Sequence, residues 1–280
     1  MKDEVFTFLA KLLREQSGLA ISRDKEYLLE SRLNPLARRH GHGGIEAMWP
    51  AMRNGLDRAL QREIVEAMTT NETFFFRDAG TFDTFRKAVL PGLVAARAHA
   101  KTLRIWFAAC SSGQEPYSVA MILEEERALL AGWSVEMIGT DLSTEMVERS
   151  RGGLYSHFEA QRGLPIQMLA RYFDKDEQGW RIKAPLRERV KFRTINLLES
   201  FAALGTFDVI FCRNVLIYFE LATKRDILDR MSRQMSESGV LFLGGAETVI
   251  GVSEKFVPNP GHAGIFVPAQ SAALARAVGQ

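Results

Sequence analysis

A largely apolar run from Leu103 to Ala109 opens onto the small-residue turn Cys110-Ser111-Ser112-Gly113, and then onto a helical pattern from Glu115 to Leu130. An apolar run of that length, bounded by turn residues, is a strand buried on both faces, which requires helices on both sides of a parallel sheet. The alternation recurs. Val135–Thr140 reads as a strand ending in Asp141 with a helix from Thr144, Phe207–Cys212 as a strand with a helix at Leu221–Met235, and Val240–Leu243 and Gly264–Val267 as the last strands. The spacing predicts an α/β domain with a mostly parallel, doubly wound sheet.

Upstream the period changes. In Val5-Phe6-Phe8-Leu9-Leu12-Leu13 apolar positions recur at three- and four-residue steps until Ser17-Gly18. A second helix is expected from about Asp24 to His40, burying Leu28, Leu29, Leu33 and Leu36 and bent at Pro35. After the stop at His40–Gly44, helices around Ile45–Arg53 and Leu56–Met68 complete a small bundle. The expected organisation is a helical domain over 1–72, a linker and helix over 73–90, the α/β domain over 91–268 and a flexible tail over 269–280. Between Gly153 and Asn196 the alternation breaks. Trp180–Lys183 and Val190–Arg193 read as antiparallel strands, so an inserted β-subdomain is expected over about 154–194.

A formal net charge of +2 excludes a general nucleic-acid binder. No apolar run reaches the roughly 18 residues of a membrane span. The start Met1-Lys2-Asp3-Glu4 lacks the pattern of a signal peptide, and two cysteines form no disulfide framework, so a cytoplasmic protein is expected. His40 and His42 lie in a glycine-rich stop with no carboxylate or cysteine close in sequence, and no metal site is expected.

Open parallel sheets bind ligands at the carboxyl ends of their strands. Four segments bring polar or small residues there: Ala108–Glu115, Gly139-Thr140-Asp141, Thr194-Ile195-Asn196-Leu197 and Cys212-Arg213-Asn214-Val215. An acid after the second strand suits two ribose hydroxyls, and the asparagine amides both donate and accept. The same residues also serve as helix caps and turns. The absence of a G-x-G-x-x-G string points to a nucleoside cofactor without a pyrophosphate.

Five strings, Thr70–Arg77 (TNETFFFR), Gly113–Ser118 (GQEPYS), Gly139–Asp141 (GTD), Asn196–Leu198 (NLL) and Phe211–Phe219 (FCRNVLIYF), together resemble the CheR family of chemotaxis receptor glutamate O-methyltransferases. The resemblance runs from the helical N-terminus to about Pro268. It implies a class I S-adenosylmethionine-dependent methyltransferase domain with a helical N-terminal domain and an inserted antiparallel β-subdomain. It implies that Asn71, Thr73, Arg77, Glu115, Asp141, Asn196, Leu197, Asn214 and Val215 bind S-adenosylmethionine, and S-adenosylhomocysteine as product. Arg77 and Tyr218 would stand nearest the transferred methyl. The implied partners are the cytoplasmic methylation helices of chemoreceptors, met by a monomer without nucleic-acid binding or membrane insertion.

Six arginines lie between positions 32 and 62 against Glu46 and Asp57, and Arg32, Arg38 and Arg39 are either a solvated surface or the receptor-binding face. The loop Asp174–Gly179 is short and charged, where relatives that hold a receptor tail peptide carry a long glycine-rich loop, so no tail peptide is expected to be needed. A small-molecule acceptor and a non-catalytic receptor-binding adaptor are the alternative readings. The helical N-terminus and basic face disfavour the first, and the presence of Arg77, Asp141 and Tyr218 disfavours the second.

Overall fold

The computed structural model describes residues 1–271 and divides into two units, one made of 1–70 and 218–223 and the other of 71–217 and 224 onward. The end of the expected 269–280 tail, from Ala272 on, lies outside the described residues.

The first unit carries α1 (Asp3–Ser17), α2 (Glu26–Arg39), α3 (Ile45–Asn54) and α4 (Arg58–Met68). Their apolar stripes make its core, with Val5, Leu9, Leu13, Leu29, Leu33, Leu36, Met48 and Ile64 buried. Gly18 closes α1 in the left-handed region, its N–H donating to the Arg14 carbonyl. The helix expected over 24–40 begins with a tight turn at Arg23–Lys25 and runs uninterrupted through Pro35. Leu28 is only half-buried. The expected start of α4 at Leu56 shifts to Arg58, because the Asp57 side chain accepts from the Leu60 N–H and caps the helix there. The segment 218–223 joins this unit through Leu19, which bridges to Phe219, and through the Ala20 N–H, which donates to the Tyr218 carbonyl at 3.0 Å.

The second unit opens with α5 (Ala79–Thr84), a wide helical turn (Phe85–Val89) and α6 (Leu90–Ala96). The strands and helices that follow are β1 (Thr102–Ala108), α7 (Gln114–Glu125), β2 (Ser134–Asp141), α8 (Thr144–Gly152), β3 (Leu154–Tyr155), α9 (His157–Gln161), α10 (Ile166–Tyr172), β4 (Phe173–Asp176), β5 (Gly179–Ile182), α11 (Ala184–Arg187), β6 (Val190–Thr194), β7 (Phe207–Cys212), α12 (Leu221–Ser232, its first residues counted with the first unit), β8 (Met235–Leu243), β9 (Phe256–Pro258) and β10 (Ile265–Pro268). Seven strands form one sheet in the order β6-β2-β1-β7-β8-β10-β9, the first five parallel. β10 runs antiparallel to both β8 and β9.

The inner strands carry the aromatic core. Phe211 stacks on Phe107 at 5.1 Å and on Phe242 at 4.5 Å, and Trp106 packs on Phe207 and Phe201. The chain winds outward from β1 to β2 and β6, then crosses back to β7 beside β1. That reversal places the ligand-binding crevice at the C-terminal ends of β1 and β7.

The expected insert is partly redrawn. β3, β5 and β4 do form a three-stranded antiparallel sheet, but Val190–Thr194 is not part of it. That segment is the parallel edge strand of the main sheet, with Val190 opposite Met137 and Phe192 opposite Gly139. The physical reason is Gly139: a Cβ there would lie 2.6 Å from the Phe192 ring, so the missing side chain is the space that ring occupies. Asp174, Lys175 and Asp176 lie in β4 rather than in a loop, and only Glu177 and Gln178 separate β4 from β5.

Candidate active site at the strand ends

The turn after β1 is built from unusual backbone. Ala109, Ser111 and Gly113 all have positive φ (57°, 50° and 92°), which folds the chain tightly before α7 begins. Only glycine takes the last position easily, since a Cβ would also lie 2.9 Å from the Ser150 hydroxyl. Side chains hold this turn from behind. Ser150 donates from its hydroxyl to the Ser111 carbonyl at 3.0 Å, and the Tyr155 hydroxyl donates to the Ser112 carbonyl at 2.7 Å. Burial pushes the Tyr155 phenol far up, so it stays a neutral donor.

Asp141, the last residue of β2, is 6% exposed. Its carboxylate accepts from the Ser111 N–H at 2.7 Å and the Ser143 N–H at 2.9 Å, tying the turn after β1 to the start of α8. An ionised carboxylate offers acceptors alone, which is the chemistry a ribose diol would call for. The Ser111 hydroxyl donates to the Asn71 carbonyl at 2.9 Å, which brings the segment 71–78 to the same turn. The Ser118 hydroxyl on α7 accepts from the Phe76 N–H at 3.0 Å.

Within that segment Arg77 donates from Nη1 to the Glu72 carbonyl at 2.8 Å, and its guanidinium lies 5.7 Å from the centre of the Phe74 ring. Arg162 covers the same ring at 4.4 Å and donates to the Glu72 carboxylate at 2.6 Å. The hydrogen bond and charge of Arg162 hold the Glu72 carboxyl below its ordinary range. Thr73 is half-buried in the same stretch.

Arg213, the residue after β7, was not singled out from sequence, yet it is the hub of the strand ends. Its side chain is 2% exposed. It donates from Nη1 to Glu115 Oε2 at 2.6 Å, and from Nη2 to the Arg77 carbonyl at 3.0 Å and Asp78 Oδ2 at 2.6 Å. Its Nε is buried with no hydrogen-bond partner among the described residues. Glu115, in the first turn of α7, is thereby anchored. Burial raises its carboxyl above the ordinary range, and attraction to Arg213 opposes that rise. A cue did exist, because Arg213 is the first charge after the apolar run Val209–Cys212 at the end of the strand.

The remaining expected residues fall on two further loops. Asn196 follows β6 and accepts from the Leu198 N–H through Oδ1 at 3.0 Å, and Leu197 beside it is 6% exposed. Arg230 on α12 fixes this loop by donating to the Leu197 carbonyl at 2.6 Å and the Glu199 carbonyl at 2.7 Å. Asn214 has φ 59°, and its N–H and that of Val215 are both bound by the Glu247 carboxylate. Neither Arg230 nor Glu247 was read from sequence. Tyr218 is counted with the first unit.

The strand-end titratable groups of the second unit are already committed. Asp141, Glu115 and Glu247 accept from N–H donors. Burial, reinforced by nearby carboxylates, pushes the Cys110 and Cys212 thiols far up. Among the described residues no cluster of His, Cys, Asp and Glu is arranged to hold a metal ion, and no helix is long and apolar enough to cross a membrane. In the first unit, Arg32 donates to the Met68 and Thr69 carbonyls at 2.7 and 2.9 Å and to the Thr70 hydroxyl at 3.1 Å, capping the end of α4. Arg38 and Arg39 are exposed.

The donor set suits S-adenosylmethionine. Carboxylates can accept from hydroxyl and amino groups, side-chain amides can both donate to and accept from a nucleobase, and the Ala109–Gly113 turn is lined by small side chains. Two family descriptions match the chain. "CheR methyltransferase, all-alpha domain" covers residues 4–69, and "CheR methyltransferase, SAM binding domain" covers residues 71–265. The chain is similar to chemotaxis protein methyltransferase 1 of Pseudomonas aeruginosa, at 42% identity over 87% of this chain and 90% of that one. It is similar to a chemotaxis protein methyltransferase of Pseudomonas putida at 40% identity over 87% and 90%, and to one of Vibrio anguillarum at 37% over 93% and 96%. The chain belongs to the CheR methyltransferase family, and its larger unit is that family's S-adenosylmethionine-binding domain.

Proposed function

We propose that this enzyme esterifies glutamate side chains on the methylation helices of chemoreceptors, and does so without a receptor tail peptide. The observation that carries the glutamate assignment is the committed state of the titratable groups. The described strand-end residues of the second unit include no histidine, the three carboxylates are engaged by N–H donors and burial holds both thiols protonated, which supports an acceptor that needs no general base. An acceptor that is already ionised needs no base, and a glutamate carboxyl, with a pKa of about 4.3, is ionised at neutral pH. The names of the relatives supply the receptor context.

S-adenosylmethionine supplies an electrophilic methyl on a sulfonium. Asp141 takes the ribose hydroxyls, Asn196, Leu197, Asn214 and Val215 line the nucleoside and amino-acid portions, and Glu115 with Asn71, Thr73 and Arg77 complete the enclosure. Two opposite charges become neutral along the reaction, so a tight two-oxygen grip on the acceptor would favour the ground state over the transition state. Arg77 uses one of its donors on the Glu72 carbonyl, which suits it to orient the acceptor through a single oxygen. Tyr218 would donate a second orienting hydrogen bond. Rate then comes from alignment and from exclusion of water. The two-residue turn between β4 and β5 offers no long loop for a tail peptide, which supports the second part of the reading.

The deciding experiment incubates the enzyme with methyl-labelled S-adenosylmethionine and receptor cytoplasmic fragments, with and without their tails. Base-labile methyl release equal for both fragments is the expected result. Label that is stable to base, or that depends on the tail, overturns the corresponding part.

A further inference from the structure

Glu247 has no role in the reading above, yet it joins the C-terminal ends of two neighbouring strands. It stands on the turn after β8 and is 9% exposed. Its Oε2 accepts from the Asn214 and Gly244 N–H groups, both at 2.7 Å. Its Oε1 accepts from the Val215 N–H at 2.9 Å and the Ile217 N–H at 3.3 Å. The turn is closed by the Glu247 N–H donating to the Gly244 carbonyl at 2.9 Å. A Cβ on Gly244 would lie 2.7 Å from Asn214 Nδ2 and 2.7 Å from Glu247 Oε2, so the Asn214 amide and the carboxylate both rest against bare backbone.

Three of the four N–H groups belong to the segment after β7, where Asn214 is held at a φ of 59°. A non-glycine residue keeps that backbone only where its surroundings impose it. Only an ionised carboxylate offers acceptors alone on both oxygens, and a side-chain amide would turn a donor toward two of the N–H groups.

We propose that Glu247 is a positioning residue for methyl transfer. By binding the N–H groups of Asn214, Val215 and Ile217 it fixes the angle at which the Asn214 amide and Val215 meet the cofactor, and it sets the start of the turn Leu216–Tyr218. The proposal rests on the assignment of Asn214 and Val215 to the cofactor.

The test uses the full chain and compares Glu247→Gln with Asp208→Asn. Asp208 is also buried, on β7 but at the opposite end of the strand, where it accepts from the Arg104 N–H and the Ser236 hydroxyl and pairs with Arg97 at 3.3 Å. Both changes are expected to lower the melting temperature. Only Glu247→Gln should weaken S-adenosylhomocysteine binding, by roughly tenfold, and lower kcat by roughly a hundredfold, the scale set by small misplacements near reacting atoms. It should also speed hydrogen exchange at the amides of 214, 215 and 217. Wild-type affinity and kcat in Glu247→Gln, an equal loss in Asp208→Asn, or unchanged exchange at those amides overturns the proposal. If Glu247→Gln does not fold, Glu247→Asp, which keeps the charge on a shorter stem, is expected to give the same losses to a smaller degree, and wild-type behaviour in it overturns the proposal equally. Wild-type affinity in Asn214→Ala would overturn the cofactor assignment of Asn214, while the exchange measurement still decides whether Glu247 holds the segment.

Discussion

Arg213 donates to the Glu115 carboxylate at 2.6 Å, so the residue after β7 is locked to the first turn of α7 across 98 positions of sequence. Neither partner can lose the other cheaply. Arg213→Met leaves Glu115 as a buried carboxylate without its cation, and should cost about 3–5 kcal/mol in a denaturant titration. The double change Arg213→Met with Glu115→Met should recover most of that loss, because a buried ion pair gives little net stability over a well-packed apolar pair. Arg213→Lys should not rescue. A lysine has a single ammonium, and it would have to replace a fork that reaches Glu115, the Arg77 carbonyl and Asp78.

Asp141→Asn should weaken S-adenosylhomocysteine binding roughly 10- to 100-fold by calorimetry, the range for losing hydrogen bonds to a charged group. The same change turns a side-chain donor toward the Ser111 or Ser143 N–H, so a modest fall in melting temperature should accompany it.

Arg38→Glu with Arg39→Glu should slow receptor methylation about tenfold at low ionic strength and less in high salt, while leaving S-adenosylhomocysteine affinity at the wild-type value. Arg32 is a poor probe of the same surface. Its guanidinium caps α4, so Arg32→Glu should lower the melting temperature as well, and a drop in methylation there would not report on docking alone.

Gly139→Ala should destabilise the protein by about 1–3 kcal/mol, the usual penalty for forcing a methyl into a filled site. The methyl would meet the Phe192 ring at 2.6 Å and Cys110 Sγ at 3.1 Å. Adding Phe192→Leu should restore part of the stability, which differential scanning calorimetry would show.

Glu136 is held below its ordinary pKa of 4.5 by hydrogen bonds from Lys191 and Arg104 and by their charges. A carboxyl whose folded pKa is lowered adds stability that is complete above its unfolded value and is lost as pH falls through the folded one. Wild type should therefore melt above Glu136→Gln at pH 7, by no more than about 1 kcal/mol given the partial solvation of both partners. The two curves should converge as pH drops below 4.5.

The parts of this chain that could be read from sequence are those whose cause is local. β1 and β7 declare themselves because burial on both faces leaves almost no polar residue in the run, and Asp141 because an acid ends an apolar strand. Val190–Arg193 reads as an antiparallel strand because four alternating residues look alike on a parallel edge and in an antiparallel hairpin. Only the glycine opposite, at position 139, tells the two apart. Arg213, Arg230 and Glu247 were missed for another reason. The partners that give these side chains their places, Glu115, the Leu197 carbonyl and the Asn214 N–H, stand 98, 33 and 33 residues away, and the one partner of Arg230 close in sequence, Asp226, says nothing of the loop it fixes. The five strings of the CheR resemblance reached the family, but four of those five already lay at strand ends or in turns that the pattern had marked.

The helical unit is assembled from two separate stretches, since Leu19 and Ala20 bind the backbone of Phe219 and Tyr218. It is therefore not a bead that can be cut off at a single linker. A chain ended before Asn71 would expose the backbone edge of Leu19 and Ala20, and one begun there would carry residues 218–223 without their partners. Any chimera that exchanges helical domains between relatives has to carry this short strap along with residues 1–70, so the two stretches are a single unit of inheritance although the chain between them is most of the enzyme.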